Sequence, residues 1–378
     1  MTPMNLSDRA AVSAPMEQLA AIPPRALQSV LIGLQADRAA RLAAHDVYRR
    51  HMANSFTAPS ELDQRDVVRF LSVAMDAIPE SVRMKELSPV AALGSSSALS
   101  SISQKTVLGT IRNTEVVADG LSVLTLEAAR QRKAEAVGDI WPGVTLGTFH
   151  RELRTQTHSE PGFKPHYHAL SLLSAESTPD FDDFKVRRLA EHLSTYLAII
   201  DRAESIGYAA KDVTVAVSNL RVVELLIKEL GADREHIMRN TRTFGFSAFD
   251  TLGVPLPKQV ELRELPSLAR SLPARLRFLS RPLDYSAKVF GEAVSRIERL
   301  RRTGSVNVVF DLERHAGMGY YQDLVVKMTA RNMSGETYSL VDMGTNDWLS
   351  RITNRRGDRL MTGGMGSEVF LNNFRKTS

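Results

Sequence analysis

The sequence of 378 residues contains no cysteine. That excludes disulfides, thiolate metal sites and a cysteine nucleophile, and it accords with a reducing compartment. No stretch approaches the ~20 consecutive apolar residues needed to span a bilayer. The chain begins Met1-Thr2-Pro3, with no apolar core behind a basic region, so no signal peptide is expected. A soluble cytoplasmic protein is the resulting expectation. Charge of one sign is scarce too. Forty-eight Lys+Arg against 43 Asp+Glu leave +5, too small an excess to announce a nucleic-acid partner. Neither a Walker loop nor a dinucleotide fingerprint is present. The run Gly363-Gly364-Met365-Gly366 lies near the C-terminus, with no helix-length sequence expected after it. A Gly-x-Ser-x-Gly elbow between strand and helix is missing as well, which disfavours a Ser-His-Asp hydrolase. What remains is ordinary globular material, 43% hydrophobic and 24% charged, long enough for two domains or one large domain with an appendage.

The pattern divides the chain into a helical N-terminal extension over 1–80 and a body over 81–378. In the extension, Leu27, Val30, Leu31, Leu34 and Leu42 fall on a helical stripe, with Arg38, Arg41, Arg49 and Arg50 left for a solvated face. Ser60 reads as the N-cap of a second helix carrying Val67, Val68, Phe70, Leu71 and Met75. After a serine-rich stretch at 94–103, strand-like runs are expected around Thr110–Val117, Val123–Leu126, Val144–Phe149, His166–Leu173, Val213–Val217, Val306–Leu312 and Leu324–Thr329. Thr178-Pro179 opens a long helix, and Gly231 stops another that follows the strand at Val213. A helical insertion is expected around 235–302, broken by Pro266, Pro273 and Pro282. Strands arriving singly and in pairs, with helices between them, imply an α+β fold on a largely antiparallel sheet.

Four segments could carry chemistry. Phe149-His150-Arg151-Glu152-Leu153-Arg154-Thr155-Gln156, with the return Phe163-Lys164-Pro165-His166-Tyr167-His168, reads as a hairpin with a cationic face. Guanidinium forks on a rigid sheet suit a triphosphate or a carboxylate; surface arginines on a hairpin are the plainer reading. Ala316-Gly317-Met318-Gly319-Tyr320-Tyr321 combines close backbone approach with an aromatic wall, or is simply a glycine-broken strand. Glu127 stands at the end of an expected strand and is either a ligand carboxylate or a solvated residue. The terminal Thr362 to Glu368 segment reads as a flexible turn that lines a pocket or merely ends the domain. His150, His158, His166 and His168 cluster in sequence, and His166 and His168 share a strand face. Charge compensation on a wet strand accounts for them, and no metal site is expected.

In this order the segments resemble the catalytic domain of class II aminoacyl-tRNA synthetases, specifically the histidyl type. Leu124-Thr125-Leu126-Glu127 is a loose counterpart of the family's Thr-Leu-Arg-Pro-Glu run. Arg151, Arg154 and Gln156 match charged and amide positions of Phe-Arg-x-Glu-Arg-Pro-Gln, and Tyr167 matches the aromatic that follows. Ser218-Asn219-Leu220-Arg221 resembles an Asn-His-Arg turn, and Gly317-Met318-Gly319-Tyr320-Tyr321 resembles Arg-Gly-Leu-Asp-Tyr-Tyr. The resemblance spans roughly 85–370 and implies that Arg151 is catalytic. It also implies that Arg151, Arg154 and Tyr167 hold ATP, and that Glu127, Gln156, Tyr320, Tyr321, Gly317 and Gly319 meet an amino acid. The departures are Ala316 in place of the signature arginine, Gly319 in place of its aspartate, Ala169 in place of a glutamine, and Val369 in place of the closing arginine. No anticodon-binding domain is expected after the closing motif. Losing guanidiniums that stabilise developing charge weakens the case for adenylation.

This pattern is similar to truncated paralogues such as the regulatory subunit of ATP phosphoribosyltransferase. The leading expectation is a tRNA-independent paralogue that binds a histidine-like amino acid, with ATP and Mg2+ as the implied cofactors, and regulates a partner enzyme. One alternative is an ATP-dependent ligase that loads an amino acid onto a carrier or other non-tRNA acceptor. The other is a scaffolding protein with a degenerate site. A homodimer, with an interface near Pro89, is implied by the resemblance alone; neither tRNA nor a membrane is expected as a partner.

Overall fold

The computed structural model describes residues 13, 15–100, 102–135, 140–155, 165–240, 243, 245–297 and 306–376. After a helical stretch at 15–20, the chain forms helices α1 (Pro24–Ala40), α2 (Ala44–Ala53) and α3 (Gln64–Ala77). Strands β1 (Arg83–Met84), β2 (Val90–Ala92) and β3 (Thr114–Val116) follow, with the short helix α4 (Ser95–Leu99) between the last two. Next come α5 (Gly120–Glu135), β4 (Val144–Leu153), β5 (His166–Ser177), α6 (Phe181–Arg202), β6 (Lys211–Asn219) and α7 (Leu220–Glu229). The insertion holds α8 (Arg234–Asn240), α9 (Ala248–Leu252), β7 (Gln259–Glu261), α10 (Leu265–Arg270) and α11 (Ser280–Ser295). The chain finishes with β8 (Val306–Asp311), β9 (Leu324–Arg331), β10 (Thr337–Asn346), α12 (Trp348–Thr353), β11 (Asp358–Met365) and α13 (Ser367–Asn373).

Nine strands form one sheet in the order β1-β4-β5-β11-β10-β9-β6-β8-β7. All its pairings are antiparallel except β1 with β4 and β6 with β8. The expected α+β class with a largely antiparallel sheet is therefore the observed one. One face is sealed by α3, α6 and α11, whose Phe70, Phe184, Leu193 and Phe290 join Leu172, Val215 and Met343 of the sheet in the main core. The opposite face carries two smaller clusters. Leu124 of α5, Trp348 of α12, Leu146 and Leu173 form one, and Val223 of α7, Met318, Tyr321 and Val325 form the other. The sheet floor between them stays open, and that gap positions the site.

Helix α3 enters the main core through Val67, Phe70 and Ala74, whereas α1 and α2 have no buried residue. The strands expected near Val144, His166, Val213, Val306 and Leu324 are all present. Three expectations fail. Val123–Leu126 lies inside α5, because its apolar side chains follow a helical period: Leu121, Leu124 and Ala128 turn one face toward Trp348. The run at 110–117 shortens to β3, which pairs with β2 outside the main sheet. Gly363-Gly364 is not a flexible turn but the end of β11, and α13 does follow it. Strands β10 and β11 stand in mid-sheet and were not legible. Their glycines serve packing: a Cβ at Gly363 would sit 2.8 Å from Met343, and one at Gly344 would sit 2.6 Å from the Leu324 carbonyl.

Candidate functional site

The open floor holds a cavity of about 380 Å3. Its walls come from distant stretches: the loop entering α5, the ends of β4 and β5, the Gly317–Tyr321 turn, β10 and β11. The α5 entrance supplies Asp119 and Gly120. Asp119 Oδ1 accepts from the Leu121 amide at 3.0 Å and so caps the helix, while Oδ2 accepts from the Tyr320 hydroxyl at 2.8 Å. Gly120 donates its amide to Glu152 Oε1 at 2.8 Å. A Cβ on Gly120 would lie 3.2 Å from that same oxygen, so glycine permits the close approach.

Strand alternation decides which hairpin residues face the cavity. Glu152 and Tyr167 are register partners, and the Tyr167 hydroxyl donates to Glu152 Oε2 at 3.2 Å. Arg154, just beyond β4, lines the cavity as well; its Nε donates to the Ala118 carbonyl at 2.8 Å, and a terminal nitrogen lies 3.9 Å from Glu152. Burial, followed by the nearby charge of Asp119, pushes the Glu152 carboxyl up to about 7, against the pull of Arg154. Burial raises the Tyr320 hydroxyl well above its ordinary range, so it stays a neutral donor to Asp119.

The turn at Gly317 is tight. Gly317 and Gly319 have φ values of 96° and 81°, and a Cβ on Gly317 would meet the Tyr321 ring at 2.9 Å. The turn delivers Tyr320 against Trp348, with ring centroids 4.8 Å apart, and Tyr321 edge-on to Tyr320. Beneath it runs Arg314, whose side chain is only 5% exposed. It donates to Asp342 Oδ1 at 2.7 Å and to the Ala316 carbonyl at 3.1 Å, and its Nη1 is buried without a hydrogen-bond partner. Val369 completes the wall as an apolar side chain.

The cavity thus gathers Arg154, Tyr167, Tyr320, Tyr321 and Gly317. Gly319 shapes the turn without lining it. Arg151 goes elsewhere: it points to the other sheet face, 3.1 Å from Glu368, with Nη1 2.7 Å from His166 Nδ1. The physical reason is the strand repeat, because residues 151 and 152 must project to opposite sides. Glu127 also lies apart, on α5, where Arg130 binds it with two hydrogen bonds of 2.8 Å. That ion pair and Gln131 pull its carboxyl down to about 2. Gln156 and His158 lie outside the described residues. Among the described residues no cluster of three metal-ligating side chains exists. Asp119, Glu152, Arg314 and Asp342 are the site residues that sequence reasoning missed. For Glu152 the signal was available, since it shares strand parity with His150 and Arg154.

Several solved structures share this fold. An "ATP phosphoribosyltransferase regulatory subunit/histidyl-tRNA synthetase" from Bacillus halodurans C matches with TM-score 0.58 and 15% identity, over 84% of this chain and 81% of that one. A histidine–tRNA ligase subunit from Alicyclobacillus acidocaldarius gives 0.57 and 15%, over 83% and 94%. Histidyl-tRNA synthetase from Nostoc sp. PCC 7120 gives 0.56 and 11%, over 84% and 74%. The chain has a class II synthetase-like fold. No protein-family model matches the sequence, and no curated protein matches it either. At such identities the likeness establishes architecture, and chemistry must come from the site. In this class II synthetase-like body, setting the glutamate of Phe-Arg-x-Glu on Glu152 places His150, not Arg151, where the motif carries its arginine. The described residues include no helix long and apolar enough to cross a membrane.

Proposed function

We propose that the cavity binds a histidine-like amino acid without adenylating it, and that the chain is a tRNA-independent, synthetase-like protein that regulates a partner enzyme. One observation carries this reading. Asp119 and Glu152 lie buried together at the α5 entrance, tied to Tyr320, Tyr167 and the Gly120 amide. Two carboxylates in one recess favour a ligand with an ammonium group, because a cation relieves the repulsion that burial intensifies. Arg154 at one end and Tyr320 and Tyr321 at the other suit a carboxylate and a flat side chain respectively.

The lining does not fit the triphosphate of ATP with its Mg2+. Arg154 is engaged with Ala118 and Glu152, and Arg314 with Asp342 and Ala316. Val369 and Leu340 are apolar, and Asp119 and Asp342 would repel phosphates. Among the described lining residues Arg154 is the one guanidinium, already partly engaged by Ala118 and Glu152, which leaves the charge developing in adenylation little to stabilise it. We therefore place ATP outside this site. A homodimer belongs to the same reading: Leu93 and Leu108, both beside the small β2–β3 sheet after Pro89, are about half exposed and offer an apolar face to a second copy.

Isothermal titration with the common amino acids and with ATP tests the proposal. Binding of an amino acid but not ATP is expected, and Asp119→Asn should weaken that binding by about tenfold or more through loss of a charged hydrogen bond. Amino-acid-dependent pyrophosphate exchange would overturn it in favour of a ligase. Failure of every amino acid to bind would leave the scaffold reading.

A further inference from the structure

We propose that a cleft between α7 and α11 is a second ligand site, built for a small molecule carrying a phosphoryl or comparable dianionic group. The cleft has a volume of about 520 Å3, within the ~300–1,000 Å3 typical of small-molecule sites. It shares no lining residue with the tyrosine-walled cavity, so it stands or falls independently of the function proposed above.

Helix periodicity assembles the cationic wall. Arg221 and Lys228 lie two turns apart on one side of α7, and Arg281 approaches from the first turn of α11. The floor is rigid and polar. Tyr285 donates its hydroxyl to Asp182 at 2.6 Å and accepts from Lys185 Nζ at 2.8 Å, while Lys185 is tied to buried Asp323 at 2.6 Å. Asn219 accepts from the Arg221 amide at 3.1 Å and donates to Ser286 at 3.0 Å. A floor fixed by its own bonds needs little reordering when a ligand arrives.

Charge pairing separates this cleft from an ordinary salt-bridged surface. Lys228 lies 3.6 Å from Glu229, and Glu224, the acidic residue of the cleft, lies 3.8 Å from Arg234. Among the described residues, Arg221 and Arg281 have no carboxylate partner. Arg187 and Arg188, by contrast, each bind two carboxylates. Two unpaired guanidinium forks converging on a preformed recess match a phosphoryl group, which each fork can hold with parallel hydrogen bonds.

The test is titration of the full chain with inorganic phosphate, a phosphomonoester and a dicarboxylate, followed by calorimetry or amide chemical shifts. Wild-type protein should bind, and the Arg221→Gln/Arg281→Gln double variant should bind about tenfold or more weakly. Its melting temperature should be unchanged, because both side chains are exposed and unpaired. Arg263→Gln, an exposed arginine paired with Glu261, should bind like wild type. A preference for the monoester over the dicarboxylate, or the reverse, names the headgroup, and either supports the site. Absence of binding by all three probes, or equal binding by the double variant, would overturn it.

Discussion

The two faces of the β4–β5 hairpin carry opposite uses of the same residue types. On one, Glu368 accepts from Ser60 Oγ at 2.5 Å and from the His168 amide at 3.0 Å, and pairs with Arg151 at 3.1 Å. His166 in turn lies 2.7 Å from the Ala58 carbonyl, and His168 stacks on Phe149. Arg151 and Glu368 are matched to each other there, and the knot ties the segment before α3 to α13. On the other face Glu152 and Asp119 share a recess whose carboxylates outnumber their guanidinium partners, beside empty volume. Matched charge consolidates a fold, whereas unmatched buried charge is a stored preference for a ligand.

The strongest way to break the comparison is at the knot. Glu368→Ala removes a carboxylate that is 3% exposed and strands a donor on each of three partners. A loss of about 3 kcal/mol in urea unfolding is expected. A loss below ~1 kcal/mol would show that the knot is incidental.

A second test sharpens the other face. The Glu152 carboxyl is raised from 4.5 to about 7, so the folded chain holds its proton over a range where the unfolded chain has released it. Stability associated with this group is therefore fully present below pH 4.5 and declines as pH rises through about 7. The decline should total about 3 kcal/mol and flatten in Glu152→Gln, as read from denaturation at a series of pH values. A profile unaffected by that substitution would remove the strain from this carboxylate.

How much of this was readable beforehand depends on what each segment answers to. Strands such as Val213–Val217 and Leu324–Thr329 announce themselves because their side chains simply alternate or run apolar. Strands β10 and β11 are hidden because Gly344 and Gly363 were selected by neighbours far away in sequence, and a strand propensity cannot contain that information. The Gly317–Tyr321 turn and the hairpin were legible as motifs, and the fold they implied is the one observed. The charged residues were harder. Arg151 and Arg154 are separated by an odd interval, which on a strand forbids a common face, and attention to that parity would have replaced Arg151 with Glu152. Glu127 was misplaced because the Val-Leu-Thr-Leu run was given a period of two when its burial follows a helix. Asp342 and Arg314 meet only through tertiary structure, at 2.7 Å, and no local pattern signals them.

The smallest expected effect is the most discriminating for the resemblance to a working synthetase. If Arg151 were a catalytic or ATP-clamping residue, replacing it would abolish ligand response. Its geometry instead assigns it to the knot, and its side chain is 32% exposed, so water screens part of what it contributes. Arg151→Gln should therefore cost only about 1 kcal/mol of stability, since Ser60 and the His168 amide continue to satisfy Glu368. Affinity for whichever amino acid the cavity accepts should be unchanged, because the guanidinium lies on the far side of the sheet from Asp119 and Glu152. A tenfold or greater loss of affinity in this variant would mean that the two faces communicate, and that the division between a structural knot and a ligand recess is drawn in the wrong place.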